Sequence, residues 1–316
     1  MKISVILVTY NRIGYLPRVL GSVLSQTLSD FELVLVNNGS TDGSAALCEE
    51  YAQKDRRIRL VNIPENHGAP RGRNAGLDAA SAEYVTIVDD DDFCEPGLLA
   101  HLWKLATEYG ADISICGSWY EFNGKLEPQY IFDELLVLDK VKGLDEMLKR
   151  EKYNIAPPTK LFRKQLFDGI RFKEGVLVDD IHVIYKVFAN AETVVAQGTP
   201  LYRFTKHGGN MTGFIQTNRL TPALLDEYLS MYSERTKYLL EKVPGISQRA
   251  RYSQWSYMIS MCDKIKTFHC DDCDRQYVDM IDSIRENYEE FRNSPFITVR
   301  EKRLLKEHLA FNADIL

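Results

Sequence analysis

Apolar and polar positions follow two different periods along the N-terminal third of this chain. Four short runs are rich in β-branched and aliphatic residues and predict buried strands: Ser4 to Val8, Phe31 to Val36, Ile58 to Val61 and Tyr84 to Val88. The segments between them carry apolar residues at helical spacing and predict helices: Tyr15 to Leu24, Ser44 to Gln53 and Pro70 to Ala80. Strands separated by helices indicate a parallel sheet with right-handed crossovers.

The pattern is less regular after residue 92 and changes again near Leu220. Three further helices and two further strands are predicted in the first of these regions: helices Leu98 to Tyr109, Asp139 to Arg150 and Asp179 to Ala189, and strands Ile113 to Phe122 and Thr193 to Phe204. From Leu220 onward only helical stripes follow. We therefore expect an α/β domain over residues 1–219 and a helical region over residues 220–316.

Apolar stripes in the C-terminal region are typical of core contacts between helices. The last helix, Arg300 to Leu309, is short and basic. For this helix a lipid-facing or acceptor-facing role is the alternative, with peripheral association at a membrane surface.

Composition narrows the classes of function. The chain has 316 residues, of which 45% are apolar and 27% charged, as in ordinary globular proteins. The net charge of −6 argues against nucleic acid as a main partner. The longest apolar stretch, Ile3 to Val8, is too short to span a bilayer, and Met1 to Ile3 leaves no room for a signal peptide. We therefore expect a cytoplasmic protein.

Six scattered cysteines do not form a disulfide framework. One local pattern has a spacing that suits zinc, and it consists of Cys262, His269, Cys270 and Cys273. There is no second CxxC pair, and the two aspartates between Cys270 and Cys273 are typical of a turn. A turn with reduced thiols is therefore the main interpretation, and a structural zinc is the alternative.

Candidate chemistry is concentrated where the fourth predicted strand ends, at Asp89-Asp90-Asp91-Asp92. In open α/β sheets, ligands bind at the carboxyl ends of the strands. Four adjacent carboxylates repel one another, so protons or a cation must offset their charge. Hard oxygen ligands suit Mg²⁺ or Mn²⁺, and the alternative is a solvated acidic turn. No Gly-rich dinucleotide fingerprint follows the first strand, where Thr9-Tyr10-Asn11-Arg12 stands instead, and there is no Walker sequence.

Several motifs resemble the family-2 glycosyltransferases that have the A-type (GT-A) fold. They occur in the family's order over about the first hundred residues: Val5 to Arg12, Ser22 to Thr27, Glu32 to Ser44, Arg73-Asn74-Ala75-Gly76 and Asp89 to Asp92. Weaker matches are Lys160 to Arg163, Asp179-Asp180 and Tyr202 to Thr212. The resemblance implies a Rossmann-type, mostly parallel sheet flanked by helices, here with a helical C-terminal extension. It also implies a nucleotide diphosphate sugar as donor.

The resemblance assigns the nucleoside to the loops after the first two strands, Thr9-Tyr10-Asn11 and Asn37-Asn38. Tyr10 can pack against the base, although it can also be a structural loop aromatic. The family often has an Asp pair where Asn37-Asn38 stands. A carboxamide can accept a hydrogen bond from N3–H of uracil or thymine and donate one to a neighbouring carbonyl. We therefore expect a UDP- or dTDP-sugar donor.

The resemblance also assigns the diphosphate end of the donor. It implies that Asp91 touches the cation and that Asp89 binds the ribose or the sugar, with Asp90 beside them. Arg73 is expected to lie near the phosphates, or else to be a surface arginine. The segment Lys206 to Thr212 contains two glycines, and we expect a flexible loop that could close over the donor and bring Lys206 and His207 to the diphosphate. A plain mobile loop is the alternative.

The second acid of the pair Asp179-Asp180 falls where the family has its catalytic base. Asp180 is therefore the expected base, and capping of the following helix is the alternative role for Asp179. Transfer needs one base to take the proton of the acceptor hydroxyl as that oxygen attacks the anomeric carbon, and a single displacement inverts the configuration.

The sequence thus predicts an inverting, metal-dependent glycosyltransferase that acts on a hydroxyl of a glycan or glycolipid. Bacterial surface polysaccharide synthesis is the setting that the resemblance implies. Two alternatives remain, a sugar nucleotidyltransferase and a non-catalytic subunit of a synthase complex that binds a sugar nucleotide or a glycan. A nucleotidyltransferase would need a first loop rich in Gly and Lys or Arg, which Thr9-Tyr10-Asn11 is not.

Overall fold

The computed structural model describes residues 1–208 and 220–309, and the chain divides into two compact units, Met1–Lys206 and His207–Leu316. The strands of the first unit are β1 Ile3–Thr9, β2 Phe31–Asn38, β3 Ile58–Ile63, β4 Tyr84–Asp89, β5 Phe93–Cys94, β6 Ile113–Phe122, β7 Lys125–Gln129, β8 Leu135–Asp139, β9 Lys160–Arg163 and β10 Thr193–Thr205. Its helices are α1 Leu16–Leu24, α2 Ser44–Lys54, α3 Ala69–Ala79, α4 Leu98–Glu108, α5 Lys140–Lys149 and α6 Ile184–Asn190.

These strands form one sheet in the order β3-β2-β1-β4-β9-β6-β10-β5, with β7 paired to β6 and β8 paired to β10 outside this order. The half predicted from the sequence is parallel, as expected: β1 pairs with β2 and β4, and β2 pairs with β3. The other half is mixed, since β9 lies antiparallel to β4 and β6 while β10 lies parallel to β6. Strands β1, β2 and β4 are almost entirely buried, which explains why they are continuous apolar runs, whereas the outer strand β3 is buried only at its two ends.

The predicted helices and strands of this unit are found with small differences in their ends, and the exceptions have physical reasons. Strands β5, β7, β8 and β9 were not predicted. Strands β5 and β9 have only two and four residues, β7 is polar and exposed, and β8 is apolar but too short for periodicity to distinguish it from other apolar segments. The helix predicted from Asp179 is wrong at its start. There the chain makes a 3-10 turn, Asp180–His182, and α6 begins only at Ile184.

Helix α3 packs closely on β1 because glycines face the strand. Gly72 and Gly76 are buried, and a Cβ atom at these positions would lie 2.3 Å from Val8 Cγ1 and 2.4 Å from Ile6 Cγ2. These distances are shorter than any ordinary contact between carbon atoms. The absence of two side chains therefore sets the distance between the helix and the sheet, and with it the position of Arg73 on the same helix.

The second unit is helical in its described part. Its helices are α7 Pro222–Lys242, α8 Ser247–Thr267, α9 Asp274–Glu286, α10 Tyr288–Arg292 and α11 Val299–Leu309. The apolar stripes predicted for this region meet in one buried cluster that includes Leu225, Trp255, Ile259, Ile284 and Phe291. The interpretation as core contacts between helices is confirmed for these residues, and the domain boundary after residue 219 stays a prediction.

The zinc alternative gains no support from this unit. His269 is exposed after α8, whereas Cys262 lies within the buried cluster. Throughout residues 1–208 and 220–309, no three His, Cys, Asp or Glu side chains are arranged so that they could hold a metal ion by themselves. In the same two ranges, no helix has both the length and the apolar composition of a bilayer span.

The packing of α3 leads to a prediction about stability. Gly76→Ala should destabilise the protein, because overpacking a core typically costs ~1–3 kcal/mol and exceeds the gain of ~1 kcal/mol in helix propensity. Gly21→Ala is the matched control, since Gly21 lies on an exposed face of α1, where a Cβ atom would meet no neighbouring atom within 4 Å. It should stabilise the protein slightly. Urea unfolding of both variants tests this, and equal stability of the two would contradict the packing argument.

Candidate active site

The register of the parallel strands places the predicted site residues at one edge of the sheet. Thr9 is paired with Asn37, and Asp89 is paired with Val8, so the ends of β1, β2 and β4 lie side by side. The loops after β1 and β2 and the turn after β4 therefore start from neighbouring points. The sequence prediction that these three segments meet is confirmed.

Asp90, the second aspartate of the run, is bound to the loop after β1. Asp90 accepts a hydrogen bond from the backbone N–H of Tyr10 at 3.3 Å, and its other oxygen lies 3.7 Å from Arg12 Nε. Burial and the charge of Asp91 raise the pKa of Asp90 to about 7. Asp90 thus fixes the loop after β1 next to the aspartate turn.

Asp92 is buried and is bound to β10. It accepts hydrogen bonds from the Tyr202 hydroxyl at 2.8 Å and from the Thr205 backbone N–H at 2.7 Å. The same hydroxyl accepts a hydrogen bond from the backbone N–H of Asp89 at 3.2 Å. Burial, together with the charges of Asp89 and Asp91, raises the pKa of Asp92 well above its usual range. Tyr202 therefore connects both ends of the aspartate turn to the neighbouring strand.

Asp91, the predicted metal ligand, is half-buried between these tethered neighbours. Its charge raises the pKa of Asp89, which is already raised by burial, so the two carboxylates act on each other electrostatically. Carboxylate oxygens of this kind suit a hard divalent cation. Asp91 is the residue that would hold such a cation, and Mg²⁺ commonly completes its coordination with substrate phosphates and water.

Arg73 lies between the two acidic segments. Its Nη1 donates to Asp179 Oδ1 at 2.6 Å and its Nη2 to Asp89 Oδ1 at 3.0 Å, and the guanidinium lies over the ring of Phe172. Although burial opposes it, the charges of Asp179 and Asp89 raise the pKa of Arg73 above its ordinary range. The interpretation of Arg73 as a surface residue is therefore wrong. Its charge is shared by two carboxylates.

This bridge also corrects the helix-cap interpretation of Asp179. The side chain of Asp179 makes no capping hydrogen bond to the turn that follows, and it is 7% exposed in its ion pair with Arg73. The next residue, Asp180, is half-buried, and its Oδ1 has no hydrogen-bond partner. Burial and the charge of Asp179 raise the pKa of Asp180 to about 6. A raised pKa near the working pH is suitable for a general base.

The predicted nucleoside loops are well ordered by their own hydrogen bonds. Asn11 has a left-handed backbone, with φ of 51°, and its Oδ1 accepts a hydrogen bond from the Thr41 backbone N–H at 2.7 Å. Tyr10 is 41% exposed beside this contact. The two loops are therefore joined, and an aromatic ring is available for a base to stack against.

Asn38 has a more limited role than its amide chemistry suggests. Its Nδ2 donates to Asn66 Oδ1 and to the Gly68 carbonyl, both at 3.0 Å, so both amide hydrogens are engaged. Its Oδ1 is buried without a hydrogen-bond partner. The predicted donation to a base carbonyl is therefore not available, and the predicted accepting contact would require Oδ1 to be uncovered, because Asn38 is only 1% exposed.

A lysine at the end of β10 is near the aspartates. Lys206 is half-buried, and its ammonium lies over the ring of Tyr120. Burial lowers the pKa of Lys206, while Asp92 and Asp91 act in the opposite direction. His207 belongs to the other unit, and residues 209–212 of the predicted donor-covering loop lie outside the described residues. The charge of Lys206 therefore interacts with the aspartate turn.

Lys160 was quoted in a motif, but its environment was not predicted from the sequence. It is fully buried on β9, and its ammonium donates to the Ala156 carbonyl at 2.7 Å and to the Thr159 hydroxyl at 3.4 Å. Burial lowers the pKa of Lys160 to about 7, although Cys116 and Asp180 act in the opposite direction. Thr159 has φ of 76°, a strained conformation for a β-branched residue. The unusual dipeptide Pro157-Pro158 before it is the signal that could have indicated an irregular backbone.

Comparison with known proteins assigns this arrangement to a family. The sequence profile described as Glycosyl transferase family 2 matches residues 4–171. Glycosyltransferase GlyA of Streptococcus pneumoniae serotype 4 is 33% identical over 236 residues, which are 71% of this chain and 33% of GlyA. The chain therefore covers about a third of the length of this relative.

Solved structures share the fold. S. aureus TarS in complex with UDP-GlcNAc has a TM-score of 0.68 at 19% identity, with 92% of each chain covered. The mannosyltransferase PcManGT from Pyrobaculum calidifontis, in complex with GDP-Man and Mn²⁺, has a TM-score of 0.59 at 14% identity and covers 98% of this chain and 79% of its own. The predicted A-type fold is thus confirmed.

The buried Lys160 leads to a prediction about pH. Its folded-state pKa is lowered from 10.5 to about 7, so between these values the unfolded chain binds more protons. The stability of the wild type relative to Lys160→Met should therefore rise with pH from about 7 towards 10, by at most about 1.4 kcal/mol per pH unit. Lys104→Met is the control, because Lys104 is 73% exposed. Urea unfolding at several pH values tests this, and identical pH dependence of the two variants would refute it.

Proposed function

Because the chain belongs to glycosyltransferase family 2, we propose that it is an inverting, metal-dependent enzyme that transfers a sugar from a UDP- or dTDP-sugar to a hydroxyl of a glycan or glycolipid. The observation that carries this proposal is the pair of acidic segments joined by Arg73, at 3.0 Å from Asp89 and 2.6 Å from Asp179. One segment can serve the leaving group and the other the attacking hydroxyl. Synthesis of a bacterial surface polysaccharide is the proposed setting, and the cytoplasmic location remains a prediction.

On the donor side, the leaving group is a nucleoside diphosphate that gains negative charge as the glycosidic bond breaks. A divalent cation bound through Asp91 would neutralise this charge, most strongly in the transition state. Lys206 supplies a second positive charge, whose interaction with Asp91 and Asp92 indicates proximity to the same point. The tethers of Asp90 and Asp92 keep the turn in place without a large reorganisation when the donor binds.

Base recognition is proposed for the loops after β1 and β2. The ring of Tyr10 can stack on the base, and the buried, unpaired Oδ1 of Asn38 would accept the N3–H of uracil or thymine once donor binding uncovers it. Guanine would present two adjacent donors, N1–H and N2–H, to this single acceptor. A site built on hydrogen bonds discriminates strongly against a partner that leaves groups unpaired. TarS was solved with UDP-GlcNAc and PcManGT with GDP-Man, so the fold itself does not decide the base.

On the acceptor side, Asp180 takes the proton of the acceptor hydroxyl onto its carboxylate. The hydroxyl oxygen attacks the anomeric carbon, and the bond from that carbon to the diphosphate oxygen breaks on the opposite face. This single displacement inverts the configuration and needs no covalent intermediate with the protein. Because the deprotonated carboxylate is the active form, the rate should rise as pH increases through the pKa of Asp180, which is about 6.

The donor side can be tested by thermal-shift measurements with UDP and GDP, each with and without Mn²⁺. UDP with Mn²⁺ should raise the melting temperature most, because a ligand that binds the folded state stabilises it by mass action. Asp91→Asn should lose the part of the shift that depends on Mn²⁺. Asp30→Asn is the control, since Asp30 is half exposed and pairs with the N-terminal amine. A larger shift with GDP than with UDP would refute the base preference, and an unchanged Mn²⁺ effect in Asp91→Asn would refute the metal assignment.

The acceptor side can be tested with Asp180→Asn. Turnover should fall by about 10²–10⁴-fold, the usual contribution of a positioned base, because the amide has no basic oxygen at neutral pH. Affinity for UDP, measured by calorimetry, should stay within about threefold, since the residue acts on the acceptor. The wild type should show an acidic limb in its pH–rate profile near pH 6. If Asp180→Asn keeps its turnover, or loses UDP binding instead, the base is another residue.

A further inference from the structure

The segment that carries the two acids of the second pair is irregular, and helix α3 holds it at several points. Between the 3-10 turns Lys164–Phe167 and Asp180–His182, residues 171–179 have no helix or strand. Near the start of this stretch, Asn74 Nδ2 donates to the Phe172 carbonyl and Asn74 Oδ1 accepts from the Phe172 N–H, both at 2.9 Å. At its end, Arg73 binds Asp179. Two neighbouring residues of one helix therefore fix both ends of a loop.

A third contact of α3 with this segment is exposed to solvent. Arg171 pairs with Asp78 at 3.0 Å, but the two side chains are 53% and 64% exposed. Exposed pairs of this kind contribute little, because water and salt screen them. The pair of Arg73 and Asp179 has side chains only 12% and 7% exposed, and removing one partner would leave a buried charge uncompensated. The buried pair is therefore the one on which the position of the loop end depends.

Arg73 also determines where that loop end lies relative to the donor site. Its two terminal nitrogens bind Asp179 and Asp89, and the guanidinium is planar and rigid. The carboxylates of Asp179 and Asp89 are thus held on one group of fixed geometry. Lysine at this position could not hold two carboxylates in the same way, because its ammonium is a point charge on a flexible stem.

We propose that Asp179 is a positioning residue for the transfer reaction, which through Arg73 holds the segment carrying Asp180 against the aspartate end of β4. The proposal rests on the function proposed above for Asp180, and it goes beyond that function because it gives Asp179 a separate role. Asp179 does not touch the reacting atoms in this proposal. It keeps the base at the correct distance from the donor, where a displacement of about 1 Å can cost about 100-fold in rate.

The charges around Asp180 provide a signature of this role. The pKa of Asp180 is affected by burial and by three charged neighbours, Asp179, Arg73 on α3 and Asp89 on β4. Asp180 in turn raises the pKa of Lys160 on β9. The negative charges of Asp179 and Asp89 raise the pKa of Asp180, and the positive charge of Arg73 lowers it. Removing the charge of Asp179 should therefore lower the pKa of Asp180 and shift the acidic limb of the pH–rate profile to lower pH.

The contribution of the Arg73–Asp179 ion pair to the stability of this segment can be measured independently of enzyme activity, by hydrogen exchange of the whole protein. In Asp179→Asn, amides of residues 171–183 should exchange about tenfold faster or more, because loss of a buried charge partner weakens the closed loop. Asp78→Asn is the matched control, since it removes the exposed contact of the same segment. Its exchange should stay within about twofold of the wild type. Equal exchange in the two variants would overturn the proposed tie.

The functional part is tested by transfer kinetics on the same proteins and on Asp179→Glu. Asp179→Asn should lower kcat about tenfold or more, leave UDP affinity within about threefold and move the acidic limb to lower pH. Asp179→Glu should return the limb towards the wild-type position, because it restores the charge. A fall in kcat with no shift of the limb would show a merely structural residue and overturn the proposal. If the wild type itself transfers no sugar, the proposed function fails, while hydrogen exchange still decides whether Asp179 holds the segment.

Discussion

Repulsion between carboxylates is the constraint on which the structure of this site depends. The fold brings the run Asp89 to Asp92 and the pair Asp179-Asp180 to the two sides of one guanidinium. Charges so close together are stable only when opposite charges or hydrogen bonds offset them. Asp90 has the Tyr10 amide and Arg12, Asp92 has the Tyr202 hydroxyl and the Thr205 amide, and Asp89 and Asp179 share Arg73. These contacts join the first loop, α3, β4 and β10 into one unit, so the acidic site is also a structural junction.

The junction depends on packing that is remote from the charges. Arg73 can reach both carboxylates because α3 lies close to β1, and α3 lies close because Gly72 and Gly76 have no side chains. The motif Arg73-Asn74-Ala75-Gly76 therefore combines three physical tasks in one helical turn. Its glycine sets the distance to the sheet, its arginine bridges the acids, and its asparagine fixes the loop at Phe172. The motif Arg73 to Gly76 resembles a functional motif of the family, and in this structure the contacts of its side chains and the close packing at its glycine account for its residues.

The sequence predicted those features that depend on local pattern. Buried parallel strands have continuous apolar runs, and carboxylates that follow such a strand must lie at the sheet edge, so the aspartate site could be placed without a structure. Features that depend on distant pairs could not be predicted in the same way. Arg73 and Asp179 are 106 residues apart, and no local pattern of Asp179-Asp180 distinguishes an ion pair from a helix cap. Lys160 was not recognised as buried because lysines are mostly exposed, and its partners are backbone and hydroxyl oxygens rather than a charged residue.

The loop between β3 and α3 connects Asn38 on β2 to the helix that carries Arg73. Asn66 Oδ1 accepts hydrogen bonds from Asn38 Nδ2 and from the Gly68 backbone N–H, and the Gly68 carbonyl accepts a second one from Asn38. The orientation of the Asn38 amide is therefore fixed from this loop, which leads directly into the helix that carries Arg73. With both amide hydrogens engaged, the polar atom of Asn38 that remains without a partner is the buried acceptor Oδ1. The orientation of Asn38 and the positions of the carboxylates of Asp89 and Asp179 thus all depend on one continuous segment, residues 66–79. A change in its packing on β1 would be expected to alter donor and acceptor steps together.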